Sequence, residues 1–89
     1  MLYVAFWKSN PKELREVIKM EKKGRFNYPP GVKSLGNYVM PDASGVEIIE
    51  AADEASLFKY IGQWLPWMEY EKVHPAMTSA EAIEKGVFE

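Results

Sequence analysis

The hydrophobic pattern of this chain switches between short solid runs and amphipathic stretches. Leu2 to Trp7 reads LYVAFW, apolar or aromatic throughout. A run this short, rich in β-branched and aromatic residues, predicts a strand covered on both faces. From Asn10 onward the spacing becomes helical. Leu14, Val17, Ile18 and Glu21 share one face, and the other faces are charged. Asn10 supplies an N-cap, Pro11 fits the first turn, Glu13 has capping-box spacing and Gly24 ends the helix. After the Pro29-Pro30-Gly31 loop, Val32 to Met40 (VKSLGNYVM) predicts a strand, with a bulge or close backbone approach at Gly36. Pro41 to Gly45 (PDASG) is turn chemistry, and Val46 to Ala51 (VEIIEA) completes a hairpin. Asp53 caps a second helix with Ala55, Leu57, Phe58, Ile61 and Trp64 on its apolar side, and Pro66 stops it. Glu69 to Ala76 (EYEKVHPA) carries acids, Lys72 and Pro75, which suit a sheet edge. Thr78 or Ser79 caps a last short helix ending at Lys85, before Gly86.

The order β-α-β-β-α-β plus a terminal helix predicts an α+β fold of the split βαβ, or ferredoxin-like, kind. Right-handed crossovers put the first and third strands in the middle of one antiparallel sheet, with both helices on one face. Alternation divides the first strand into Leu2, Val4, Phe6 and Tyr3, Ala5, Trp7. The third divides into Val46, Ile48, Glu50 and Glu47, Ile49, Ala51. None of these sets is predominantly polar, and one layer of helices buries only one face. A second copy packed sheet to sheet covers the other. The expectation is a symmetric homodimer, a dimeric α/β barrel. Tyr3, Trp7, Glu50, Tyr70, Lys72 and His74 would line its interior.

These segments carry a resemblance. LYVAFW, then GVKSLGNYVMPDASGVEIIEA, then WLPWMEYEKVHPAM resemble an uncharacterised family of short prokaryotic proteins. That family is a domain of unknown function (DUF3303) placed in the dimeric α/β-barrel, ferredoxin-like superfamily. Its most specific pieces here are Gly31-Val32-Lys33 with Gly36, Gly45-Val46 with Ile49-Glu50-Ala51, and Leu65-Pro66-Trp67. None is a catalytic signature. The resemblance covers nearly the whole chain and implies the fold and a dimer. The wider superfamily includes cofactor-independent monooxygenases, lactone isomerases and haem-handling proteins. This chain departs from the haem-handling pattern in its one histidine, and it lacks the long insertions with which several enzymatic relatives close a pocket.

Length and charge narrow the classes. Eighty-nine residues make one domain with a thin core of its own. With 47% hydrophobic and 27% charged residues, the composition is that of a folded domain. No apolar run approaches a membrane span and no leader precedes the first strand, so the expected location is the cytoplasm. Zero cysteines exclude disulfides, thiolate nucleophiles and zinc–thiolate sites. A net charge of −2 argues against nucleic-acid binding. Charge is nonetheless uneven: Lys8 to Lys33 holds eight basic and three acidic residues, and Asp42 to Glu89 ten acidic and three basic. Solvated helix faces account for this; meeting faces of two copies are the sharper reading.

Candidate chemistry is sparse. His74 is the lone histidine, so no multi-histidine centre forms within one chain, and neither metal nor cofactor is expected. Glu50 ends a central strand in apolar company, where a desolvated carboxylate would suit a general base. Both residues also admit plain structural readings, as a strand histidine and a rim carboxylate. Trp7 offers an aromatic wall to an apolar ligand, or is simply core. Trp64 and Trp67 flank Pro66 as a hydrophobic plug. The loop Arg25-Phe26-Asn27-Tyr28-Pro29-Pro30 reads as a pocket lid before an RNA or phosphate contact.

Three functions compete. The first is a homodimeric module binding a small apolar ligand between sheet and helices, contacted by Tyr3, Trp7, Asn37, Tyr70 and Lys72. The second is a cofactor-independent monooxygenase or isomerase with Glu50 or His74 as base and Tyr3, Tyr70 or Asn37 as polar guides. The third is a structural or regulatory dimer without ligand. A cavity of about 300 Å³ or more with converging polar groups favours the first two.

Overall fold

Strand β1 (Leu2–Lys8) runs through the middle of a four-stranded antiparallel sheet. The computed structural model describes residues 1–24 and 26–89; Arg25, the cation of the loop discussed above, lies outside the described residues. After β1 come α1 (Pro11–Lys22), β2 (Val32–Val39), β3 (Ser44–Ala51), α2 (Glu54–Gly62), β4 (Glu69–Ala76) and α3 (Ser79–Lys85). The sheet order is β2-β3-β1-β4, which is the ferredoxin-like arrangement. Among the described residues, no helix is long and apolar enough to cross a membrane.

The caps lie where the sequence places them. The side chain of Asn10 accepts from the Glu13 amide at 2.9 Å, and that of Asp53 from the Ser56 amide at 2.7 Å. Gly24 follows α1 with φ +70°, and Gly86 follows α3 with φ +62°. Helix α2 ends at Gly62, before Trp64. Turns then follow, with the Trp64 amide bonded to the Ile61 carbonyl and the Trp67 amide to the Trp64 carbonyl. They carry the Trp64 ring into the core.

Register decides which side chains meet the helices, because residues directly opposite each other share a face. Tyr3 pairs with Ile49, Ala5 with Glu47 and Trp7 with Gly45, and all six are buried. Val17 of α1 and Leu57 and Tyr60 of α2 complete this core. The opposite set, Leu2, Val4 and Phe6 with Val46 and Ile48, stays partly open, Phe6 being 44% exposed. The face expected to meet a second copy through Tyr3, Ala5 and Trp7 is therefore the helix-covered one. Both sets are apolar, so β1 alone does not reveal which one the helices take.

Two bulges reset the alternation. In β2, Ser34 pairs with Ile49 and Gly36 with Ile48, leaving Leu35 as the extra residue. In β4, Lys72 pairs with Phe6 but Tyr70 with Trp7, leaving Glu71 extra. Tyr70 thus lies on the helix side while Lys72 and His74 lie on the open side. An unbroken strand would have kept all three together.

Gly45 passes directly beneath Trp7. A Cβ there would overlap the Trp7 indole and the Tyr38 carbonyl oxygen. Gly45→Ala is expected to destabilise by about 1–3 kcal/mol through overpacking, read from the midpoint of urea unfolding. A wild-type midpoint would show that Trp7 has room to move.

Candidate functional site

A half-open apolar pocket lies on the helix-covered side of the sheet. It is a cavity of about 220 Å³ bounded by Trp7, Asn37, Val39, Glu47 and Tyr70 from the sheet. Leu14, Val17, Ile18 and Glu21 of α1 form the opposite wall, with Trp64 and Met68 from the turn after α2. Helix α1 brings no Cα within 8 Å of a strand Cα, whereas α2 does, so α1 stands further off the sheet where the cavity opens. The volume falls below the ~300 Å³ of common ligand sites. It exceeds the ~150 Å³ of an apolar cavity that takes benzene. The volume corresponds to a single ring with a short substituent.

Glu47 is the one buried charged residue among the described residues, at 1% exposure. It occupies the middle of central strand β3, opposite Ala5 on one side and Asn37 on the other. The Tyr60 hydroxyl of α2 reaches its two carboxylate oxygens at 2.8 and 3.0 Å. Burial pushes the Glu47 carboxyl above its ordinary value, and hydrogen bonding from Tyr60, and less so from Ser34, draws it back. Burial first and Glu47 second push up both the Tyr60 and Tyr70 hydroxyls, so both keep their protons. Asn37 Oδ1 accepts the Trp7 indole N–H at 3.0 Å, which orients the indole on the cavity wall. The Trp64 indole N–H is buried with no partner among the described residues. Chemically, the site offers aromatic faces, one desolvated carboxyl and hydroxyl and amide groups.

Of the residues singled out from sequence, Trp7, Asn37 and Tyr70 line this cavity. Tyr3 is on the same face but buried outside the lining, its hydroxyl donating to Met1 Sδ at 3.6 Å. Lys72, His74 and Glu50 lie on the opposite face and are exposed. Glu50 and His74 stand on strands separated by β1, so the chain does not bring them together. Phe26 and Tyr28 are not lid residues over this cavity. Phe26 stacks on the lining residue Trp64 with centroids 4.0 Å apart, and Tyr28 on Tyr60, the partner of Glu47, at 5.1 Å; neither lines the cavity. Glu47, Tyr60 and Glu21 were not singled out as site residues. The signal for Glu47 was its place in one alternating set with Ile49 and Ala51, a carboxylate where a central strand expects an aliphatic side chain.

The topology and pocket define a class: a ferredoxin-like α+β domain with a small cavity between its sheet and first helix. Within that class, a family model for the domain of unknown function DUF3303 matches residues 1–87, and the chain belongs to that family. No curated protein and no solved structure matches it.

Tyr60→Phe leaves a buried carboxyl without its donor and is expected to destabilise the fold by about 1–3 kcal/mol in urea unfolding. Glu47→Gln removes the charge instead. Because the folded chain holds the Glu47 proton more tightly than the unfolded one, this group's contribution is full below about pH 4.3. It is lost as pH rises through the folded value. Glu47→Gln should therefore melt above wild type near pH 8 and level with it near pH 4, by circular dichroism. An equal difference at both pH values would deny the desolvation.

Proposed function

We propose that the protein is a homodimeric binding module that holds a small, largely apolar ligand in the cavity between sheet and α1. The observation that carries this reading is the Glu47 carboxyl, buried beside an apolar cavity walled by Trp7, Trp64 and Tyr70. A carboxyl taken out of water with no ion-pair partner among the described residues is expensive in a purely structural core, and a ligand gives it a use. An enzymatic use of the same cavity, oxygenase or isomerase chemistry without a cofactor, would take Glu47 as its base in place of Glu50 or His74. Its raised proton affinity supports that second reading.

The dimer is supported by the open face of the sheet. Leu2, Val4, Phe6, Val46 and Ile48 form a continuous apolar strip, with Tyr38 opposite Val46 and 60% exposed. Lys33, Glu50, Lys72 and His74 surround it. Sheet-to-sheet packing of two copies, as in a dimeric α/β barrel, dehydrates this strip and leaves the ligand cavities on the outer, helix-covered sides.

Light scattering at micromolar concentration should give a dimer burying more than roughly 1,200 Å² in total. Phe6→Lys should yield a folded monomer. Tyr3→Lys should unfold the chain instead, since it sets a charge in the core. A wild-type monomer, or a dimer indifferent to Phe6→Lys, overturns the assembly. Ligand binding is tested by fluorescence, because both Trp7 and Trp64 line the cavity: a library of single-ring compounds should contain members that shift the emission. Complete silence removes the ligand reading.

A further inference from the structure

The lining of the cavity specifies the polarity of its guest. Two carboxylates border it, Glu47 at 1% exposure and the more exposed Glu21 on the cavity-facing side of α1, and among the described residues no lysine, arginine or histidine does. An anionic guest would lose its hydration and meet like charge with no cation to compensate. A neutral guest would gain the aromatic contacts and leave Glu47 as it is. An ammonium group gains twice: a charge-assisted hydrogen bond to Glu47 and the faces of Trp7, Trp64 and Tyr70, all of which stand on the same wall system.

We propose that the cavity selects a small aromatic or aliphatic amine, its ring among Trp7, Trp64 and Met68 and its ammonium group on Glu47. This rests on the cavity being a ligand site. The fit in size is a single ring with a two-carbon arm. Tyr60 serves as a positioning residue: its hydroxyl holds the carboxylate from the α2 side and leaves the remaining lone pairs for the guest. The groups that face Glu47 are Tyr60 from α2, Tyr70 from β4, Ser34 and Asn37 from β2, and Glu21 from α1. None of these described groups is a cation, so the ammonium group would supply the positive charge at the carboxylate and compete there with a proton. Affinity therefore falls as pH is lowered from about 8 toward 5, and proton release on binding is measurable as a buffer-dependent heat.

Three probes of one shape test this: 2-phenylethylamine, 2-phenylethanol and phenylacetate, titrated into the wild-type protein by calorimetry and tryptophan fluorescence at about pH 8. The amine should bind about tenfold or more tighter than the alcohol, with phenylacetate weakest. In Glu47→Gln the amine should drop to the level of the alcohol, whose own affinity stays unchanged. Alcohol or phenylacetate binding as well as the amine overturns the amine selectivity while keeping the ligand site. Failure of all three to bind at millimolar concentration overturns the ligand site itself. The ranking of the probes on the wild-type protein decides the matter even where Glu47→Gln does not fold.

Discussion

A carboxyl group under a helix layer is the constraint around which the covered side of this molecule is arranged. Glu47 sits at the centre of β3, in the most dehydrated part of the sheet. Its oxygens need donors, and Tyr60 on α2 supplies one. That bond ties α2 down onto β3, and the closer approach of α2 than α1 to the sheet agrees with it. Tyr28 stacks on Tyr60 and Phe26 on Trp64, so these two residues between α1 and β2 pack against α2 and the turn that follows it. Gln63 adds two hydrogen bonds to the Asn27 backbone, at 3.1 and 2.7 Å, fastening that loop to the end of α2.

The cavity follows from the asymmetry between the two helices. On the α2 side, small residues such as Ala51 and the Tyr60–Glu47 bond allow close packing. On the α1 side the sheet presents Trp7, Asn37 and Tyr70, and only Val17 of α1 is fully buried against it. The Trp7–Asn37 bond fixes the indole across Gly45, where no side chain competes for the space. The result is a gap with largely aromatic and aliphatic walls and a few polar groups. Such a gap favours an apolar body with one polar end.

The open face poses a separate problem with a separate solution. A chain of this length has little surplus core, and its central strand offers aliphatic side chains to both sides. In the proposed reading, pairing two sheets answers that need without touching the cavity. Assembly and ligand binding would then fall on opposite faces of the same four strands, and substitutions on one face would act on one property. The exposed apolar residues of the C-terminal segment, Ile83, Val87 and Phe88, belong to neither face of the helix-covered core.

The linear pattern carried the elements and their order. Asn10, Asp53 and Thr78 are caps because their side chains reach an amide three residues on, a local event that needs no tertiary partner. Gly24 and Gly86 end helices for an equally local reason, and the two-sided apolar β1 is written in consecutive letters. From these the ferredoxin-like topology follows. Which side of β1 the helices cover is a different kind of fact. Leu2-Val4-Phe6 and Tyr3-Ala5-Trp7 are nearly equal in hydrophobicity, so the choice belongs to the docking of α1 and α2. Bulges at Leu35 and Glu71 then move residues between faces, since one extra residue inverts all the alternation beyond it. For that reason Tyr70 joins Trp7 and parts from His74. Glu47, three residues from the more conspicuous Glu50 and on the opposite face, is the buried carboxylate. Periodicity of two separates those faces in sequence, but only the packed structure decides which one loses its water.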